Sequence, residues 1–596
     1  MNGYQGKLLR INLTDGSIKV EELNREYAKA FIGGRGLGTK MAYEELDPTM
    51  DALSPENKLY FMTGPFTGTP TPTGGRYMVI TKAPLTGTIG SSNSGGYWGA
   101  ELKFAGWDGV IVEGKSEKPV YICIEDDKVE ICDAEGIWGQ EVPETEALLK
   151  KVVPEKSKIV SIGPGGEKLS LMAAIMNDTD RAAGRSGVGA VMGSKNLKAI
   201  TVRGTQKTPL FNSEKLKEVV KENNNIIIKN GVTGTGLPTY GSAILVNIIN
   251  EGGILPTDNF QKSFFANADA ISGEHMTEHY LIRKNPCYRC PIGCGRYVKL
   301  GDKEGGGPEY ETIWAFGSDC GIDDFEAILE ANFICNELGI DTITAGATLA
   351  AAMELYQKGY ITDEDLGGEP LEFGNKESII NWTRKMGLRE GFGDKLADGS
   401  YRLCESYGVP ELSMTVKKQE LPAYDPRGVQ GQALSYATSN RGGCHVRGYM
   451  ISPEVLGAPE KLDRFTTENK ALWTKIFQDL TAFIDSAGLC LFTSFALGAP
   501  EYRAMLNEIT GYNFTDEDVL KAGERIYNLE RMFNEKAGIT AETDTLPPRL
   551  IKDGIPEGPS KGEVARLDIT LPEYYELRGW QGGVVSEAKK AELGLN

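Results

Sequence analysis

One stretch near the middle of the chain restricts its possible folds more than any other: Cys287-Tyr288-Arg289-Cys290-Pro291-Ile292-Gly293-Cys294. The C-x2-C-x3-C spacing puts three thiols on one tight loop. Three thiolates can fill three corners of an iron–sulfur cube or three positions around zinc, and either centre needs a fourth ligand from elsewhere. The best candidate is Cys490, in Asp485-Ser486-Ala487-Gly488-Leu489-Cys490, far downstream. A ligand so distant ties two large regions of the chain around one centre. Zinc usually takes two close pairs of ligands rather than three bunched and one remote. A radical-SAM cluster uses the reverse spacing, C-x3-C-x2-C, with no fourth thiolate. A [4Fe–4S] cluster fits best.

The rest of the composition narrows the partners. With 64 Lys and Arg against 83 Asp and Glu, the formal net charge is −19. So acidic a chain repels nucleic-acid phosphates, and an anionic substrate or acidic redox partner would need a local basic patch. No apolar run approaches the roughly 20 residues of a membrane span, and the first residues lead straight into a strand pattern, so a soluble, cytoplasmic protein is expected. Ten cysteines are too few for a disulfide scaffold. Cys123, Cys132, Cys335 and Cys404 read as ordinary core or surface thiols. The three histidines are His275, His279 and His445.

Three regions follow from the pattern: residues 1–208, rich in strands; 209–417, mainly helical; and 418–596, also mainly helical. In the first, Leu9, Ile11 and Leu13 alternate with polar residues, Thr14-Asp15-Gly16 turns the chain, and Ile18 and Val20 continue the alternation. Strands are also expected at 77–80, 109–112, 120–123 and 158–161. Between them lie dense glycine clusters, read as turns: Gly33-Gly34-Arg35-Gly36-Leu37-Gly38, Thr73-Gly74-Gly75-Arg76, Ser91–Gly96 and Arg181–Gly189. Glycine lets backbone amides approach an anion, and the interleaved arginines add charge. Plain sheet turns explain any one cluster; four together favour a phosphate-bearing ligand. None has P-loop spacing, and no strand runs into Gly33–Gly38, so neither a P-loop nor a Rossmann fingerprint is present.

In the second region Ser213 is placed to cap a helix. The loop Pro308-Glu309-Tyr310-Glu311-Thr312 delivers two carboxylates. Phe325, Ile328, Cys335 and Leu338 share a helix face that Gly339 stops, and Asp341 or Thr342 restarts a helix running to Gly359. The junction Asn336-Glu337-Leu338-Gly339-Ile340-Asp341 matches Asp485–Cys490, whose preceding helix shows Leu472, Ile476, Leu480 and Phe483. Helix capping accounts for either copy alone. Two copies suggest a duplicated ligand, with exposed amides at each junction to receive it. His275-Met276-Thr277-Glu278-His279 matches the inverted zincin order, but a solvated helix face explains it as well. His445, beside Gly442-Gly443, and Glu311 are the stronger acid–base candidates; Glu309 competes with Glu311. A non-enzymatic iron–sulfur electron carrier is the alternative from another class, though one cluster does not need 596 residues and four glycine clusters.

Taken together, Tyr4–Leu13, the Gly33–Gly38 run, Gly74-Gly75-Arg76, Asn93, Asp180–Arg185, the cysteine run, Pro308–Thr312 and Asp485–Cys490 make the whole chain resemble the tungsten-containing aldehyde ferredoxin oxidoreductase family. The resemblance implies a multidomain α+β fold, a β-rich N-terminal domain followed by two mainly α-helical ones, with the cofactor at their junction. It implies two pyranopterin dithiolenes holding one tungsten, and a [4Fe–4S] cluster on Cys287, Cys290, Cys294 and Cys490. Arg76 would lie between cluster and pterin. Asn93 and Ala183 would offer backbone carbonyls to a magnesium joining the pterin phosphates. Gly95, Gly184, Arg185 and the junctions Asn336, Gly339, Ile340, Asp341 and Asp485, Gly488, Leu489 would flank the pterins.

The implied reaction is aldehyde oxidation to carboxylic acid, electrons passing to ferredoxin or an iron–sulfur partner subunit, with His445 orienting or protonating the aldehyde oxygen and Glu311 activating water. Three departures stand out. Asn336 replaces the family's opening Asp. No E-x-x-H pair exists, so a homodimer bridged by metal through that pair is not expected. Cys320, just after the Glu311 loop, could instead be a tungsten ligand, as in the class II benzoyl-CoA reductases that belong to this family.

Overall fold

The computed structural model describes residues 1–596. Its first third consists of two six-stranded sheets built to one plan. The first comprises β1 (Lys7–Asn12), β2 (Ile18–Glu22), β3 (Leu59–Thr63), β4 (Tyr77–Lys82), β5 (Ile89–Ser94) and β6 (Gly109–Glu113), in the order β2-β1-β6-β3-β4-β5. The second comprises β7 (Val120–Glu125), β8 (Lys128–Asp133), β9 (Lys158–Ser161), β10 (Ile175–Asn177), β11 (Arg181–Ala183) and β12 (Leu197–Arg203), in the order β8-β7-β12-β9-β10-β11. Each sheet has one parallel pair, β1 with β6 and β7 with β12, and is otherwise antiparallel. A parallel neighbour requires a crossover. The chain reaches β6 through the helix Trp98–Phe104 and β12 through the helix Val188–Ser194. The two sheets meet along β5 and β11, their corresponding end strands.

Every residue of β3 and β4 is buried, because the first sheet is covered on both faces. Phe61 and Val79 join a core with Trp98, while Met62 and Ile80 pack under Leu37 of the helix Gly34–Glu45. This explains the first glycine run, which is not a loop as the sequence suggests but the opening of that helix. A Cβ on Gly38 would stand 2.5 Å from Ile80 Cγ1, so the helix lies on the sheet only without one. Ser91–Ser94 and Arg181–Ala183 also depart from the turn reading: they are the end strands β5 and β11.

From residue 210 onward the chain is mainly helical around one continuous core. A division near 417 therefore stands as a proposal of domain organisation rather than a break in packing. The helix Ser213–Lys229 is capped by Asn212, whose Oδ1 accepts from the Lys215 amide at 3.1 Å; the expected cap, Ser213, is its first helical residue. The helices Lys470–Ala487 and Asp516–Lys536 pack together and against Gly34–Glu45, joining the helical part to the first sheet. Leu472 is 41% exposed, because that helix buries Phe477, Phe483 and Ile484 instead. A small sheet of β13 (Leu281–Lys284), β14 (Arg296–Leu300) and β15 (Lys303–Gly306) holds the cysteine run as the connection between β13 and β14.

Candidate functional site

Cys287, Cys290, Cys294 and Cys490 surround one cavity, with Arg76, Gly75 and Gly95 completing its wall. No three His, Cys, Asp or Glu side chains are placed to hold a single metal ion. Four sulfurs spread around a cavity suit a multi-iron cluster, whereas zinc needs its ligands about 2.3 Å from one point. The wall is built for close approach. A Cβ on Gly95 would come within 2.8 Å of Cys287 Sγ and 3.2 Å of Arg76 Cζ, and one on Gly75 within 2.8 Å of Tyr288 Cβ. Burial pushes the Cys290 thiol up to about 11 and the Cys294 thiol well above its ordinary range. Ionising them therefore calls for positive charge, and metal binding supplies it. Half-buried Arg76 gives part of it: desolvation works against its charge, but Cys490, Cys287 and Cys294 outweigh that and hold it firmly cationic. The Gly293 amide also points at Cys290 Sγ, at 3.5 Å.

Arg76 begins a chain of polar contacts leading inward. Its Nη2 donates to Cys490 Sγ at 3.1 Å and its Nη1 to Asn93 Oδ1 at 2.9 Å. Asn93 Nδ2 donates to Asp485 Oδ1 at 3.0 Å. Asp485 Oδ2 pairs with Arg447, and with Arg35 at 3.3 Å; Arg35 is in turn gripped by Glu530 through two bonds of 2.7 Å. Arg447 lies two residues beyond His445, so the sequence from Cys490 to the histidine segment is unbroken.

The two junctions share one geometry. Gly339 and Gly488 both cap their helices in the left-handed region, φ 68° and 92°. Each lies against a glycine just past the matching strand of its own sheet: the carbonyl of Leu338 meets Gly163 after β9, and that of Ala487 meets Gly64 after β3. The amides expected to be free for a ligand are instead used internally. Gly339 and Ile340 donate to the Cys335 carbonyl, Asp341 to Met172, Gly488 and Leu489 to Ile484, and Cys490 to Thr73 Oγ1. What remains for a ligand is side-chain and carbonyl chemistry. Asp341 caps the helix Thr342–Gln357 and also accepts from Arg185 Nε at 3.2 Å. Asn336 is half-buried. Asn93 and Ala183 lie on β5 and β11, the two strands that meet, with Gly95 and Gly184 just beyond.

Glu311 and His445 come together, Oε1 to Nε2 at 3.5 Å. Glu311 opens the helix Tyr310–Phe316, and its Oε2 accepts from the Ala423 amide at 3.0 Å. Oε1 and His445 Nδ1 are buried without a hydrogen-bond partner, an uncommon condition that points to a missing ligand. Burial pushes the Glu311 carboxyl up to about 8. It also drives His445 well below its ordinary value, helped by Arg185, Arg441 and Arg447. Near neutral pH the pair is thus uncharged. The rings of Tyr424 and Tyr449 flank the imidazole at 5.9 and 6.0 Å, their hydroxyls bonded to each other at 2.8 Å. Glu309 is exposed and bonded to Ser242, turned away from this pair.

Cys320 is fully buried, its thiol directed at the carbonyls of Ala315 and Gly346 at 3.3 and 3.5 Å, and burial raises its pKa. It is a packed core thiol. His275 and His279 stack on one helix at 4.3 Å, with no third ligand to form a metal site. The sequence reading took Arg35 only as part of a glycine-rich anion cluster and gave no role to Arg441 or Arg447. Arg441 makes two bonds, of 3.2 and 3.0 Å, to Cys444 Sγ. Burial opposes ionisation of that thiol, but the three arginines Arg441, Arg447 and Arg185 bring its pKa below the ordinary value. The signal was present as Arg441-Gly442-Gly443-Cys444-His445-Val446-Arg447, an arginine either side of the histidine.

The duplicated base, the ring of four thiols and the buried carboxyl–imidazole pair define an oxidoreductase. Residues 8–204 match the family description "Aldehyde ferredoxin oxidoreductase, N-terminal domain", and residues 218–595 match "Aldehyde ferredoxin oxidoreductase, domains 2 & 3". The chain belongs to the aldehyde ferredoxin oxidoreductase family. It is 58% identical over 603 residues to a tungsten-containing aldehyde ferredoxin oxidoreductase of Pyrococcus furiosus, covering 100% of this chain and 99% of that one. A counterpart from Thermococcus kodakarensis is 56% identical with the same coverage. Among solved structures, the BamBC active-site complex of benzoyl coenzyme A reductase with 1,5-dienoyl-CoA superposes with a TM-score of 0.87 at 25% identity, covering 100% of this chain and 97% of that one.

Proposed function

We propose that the protein oxidises aldehydes, R-CHO + H2O → R-COOH + 2 e− + 2 H+, and delivers the electrons to ferredoxin or an iron–sulfur partner subunit. The observation that carries this reading is the unbroken chain from Cys490 through Arg76, Asn93, Asp485 and Arg447 to the segment holding His445. It joins a place where protons are handled to a place where electrons can leave. A tungsten bis-pyranopterin, when bound, supplies a two-electron acceptor, and a [4Fe–4S] cluster supplies one-electron transfer. The residues suit both. Cys287, Cys290, Cys294 and Cys490 hold the cluster. The junctions Asn336–Asp341 and Asp485–Leu489, with Gly95, Gly184 and Arg185, flank the two pterins. The carbonyls of Asn93 and Ala183, on abutting strands, suit a magnesium ion between pterin phosphates.

Neutral His445 orients the aldehyde oxygen as a hydrogen-bond donor; with its pKa so depressed it is not an acid that protonates it. Glu311, with a pKa of about 8, takes the proton from the attacking water. Glu309, turned away, has no part. A cytoplasmic location goes with this reading; none of the ten cysteines is paired in a disulfide, and no helix is long and apolar enough to cross a membrane. The test is elemental analysis of anaerobically purified protein, followed by aldehyde-driven viologen reduction. About one tungsten and about four irons per chain, with aldehyde-dependent reduction, are expected. Iron without tungsten or molybdenum, from a host able to supply both, would leave only an electron carrier.

A further inference from the structure

The chain carries a net charge of −19, yet residues 281–300, which bracket the cysteine loop, contain Arg283, Lys284, Arg289, Arg296 and Lys299 and no Asp or Glu. Arg296 is buried and Lys299 pairs with Glu304 at 3.4 Å. The others face solvent. Arg283 and Lys284 are exposed on β13, the edge of its sheet, just before Cys287. Arg289 is exposed at the loop tip between Cys287 and Cys290, fixed there because its carbonyl accepts from the Thr73 amide at 3.0 Å. From the neighbouring sheet, Lys158 Nζ stands 4.9 Å from the ring of Tyr97, whose hydroxyl donates to the Pro286 carbonyl at 3.2 Å. None of these four cations has a carboxylate partner. Between them Tyr97 is 38% and Ile282 46% exposed. Tyrosine and arginine are enriched at protein-binding surfaces, the exposed isoleucine adds apolar area beside them, and the surrounding cations suit a charged rim.

The rest of the molecule repels an acidic protein, and this face attracts one. We propose that Lys158, Tyr97, Ile282, Arg283, Lys284 and Arg289 form the docking face for a small acidic electron-carrier protein. The proposal rests on the reading in which the adjacent thiols hold the cluster from which electrons leave. Each encounter moves one electron from the reduced cluster to the oxidised carrier, so two carriers are reduced per aldehyde and two protons go to water. A like-charged body around an opposite-charged exit turns the partner to the correct orientation before contact.

The test uses holoenzyme, a purified acidic [4Fe–4S] ferredoxin and methyl viologen as a small cationic acceptor. Lys284→Glu and Arg289→Glu are made singly and together. Lys19→Glu, on β2 at the opposite edge of the first sheet, makes the same charge change elsewhere. For the double variant kcat/KM with ferredoxin should fall about tenfold or more, with a flatter dependence on ionic strength and a weaker Kd for oxidised ferredoxin by calorimetry. Viologen reduction and iron content should not change. Wild-type ferredoxin affinity and kinetics in the double variant would overturn the proposal, and so would an equal loss in Lys19→Glu. Absence of aldehyde-dependent viologen reduction in the wild type would instead sink the aldehyde reading. The calorimetric titration needs no aldehyde and still decides the docking face.

Discussion

Glu311 is a buried carboxyl whose proton is hard to remove, and that sets the expected pH behaviour. A base with a pKa of about 8 is mostly protonated at pH 7, and its working form grows as pH rises. The plot of kcat/KM against pH should climb with a midpoint near 8. Glu311→Gln should abolish the climb and lower kcat by about 10²–10⁴-fold with metal content intact; a retained climb would assign it to another group. At Gly95 the expectation concerns assembly instead. Gly95→Ala places a methyl 2.8 Å from Cys287 Sγ, so iron per chain and the cluster's visible absorbance should both drop, while Gly136→Ala, whose Cβ meets nothing and whose backbone is not left-handed, should cost far less iron. The cysteines were legible in the sequence because ligand spacing survives in a linear string. The arginines on Asp485 were not, since Arg35 and Arg447 reach it from remote segments and nothing local marks either as a partner.

Helix ends are where the elements of this protein are most sensitive. Both junction glycines are left-handed, which costs any other residue about 1–2 kcal/mol. Their surroundings differ. A Cβ on Gly488 would collide with Thr67 Oγ1, whereas one on Gly339 would meet the Gly163 amide at 2.8 Å. Thermal unfolding should therefore show Gly488→Ala as more damaging than Gly339→Ala, with both below wild type; the reverse order would mean that the Thr67 side chain yields more easily than the Gly163 backbone. The likeness of the two junctions was readable in the sequence because glycine and helix periodicity are local signals. Their use was not: the amides that looked free are taken by Cys335, Ile484, Met172 and Thr73, two of them distant. The end strands β5 and β11 went unread for a related reason. β5 is a run of mostly small polar residues and β11 is only three residues long, so no alternation announces either.

At the scale of the molecule, the strand-for-strand repetition of the two sheets left no trace in the sequence reading, because pairing order is a property of contacts between segments and tolerates almost any side chains. What locks this base to the helical part is partly ionic. Arg35, fully buried, binds Glu530 and Asp485 at once. Arg35→Met leaves buried Glu530 without an ionic partner and Asp485 with Arg447 alone, and removing one member of such a set costs about 3–5 kcal/mol. A lowered melting temperature is expected, with protease cleavage appearing between the sheets and the helices; unaltered melting would show that the apolar contacts suffice alone. The two junctions also differ in residue, and one difference matters most. Position six of each junction sits at the head of the next helix, and it is Asp341 in one copy and Cys490 in the other. The carboxylate closes its end by capping, while the thiol opens its end toward Arg76. A frame whose two sheets share one strand order thus acquires a front and a back, and current through it has a single direction of exit.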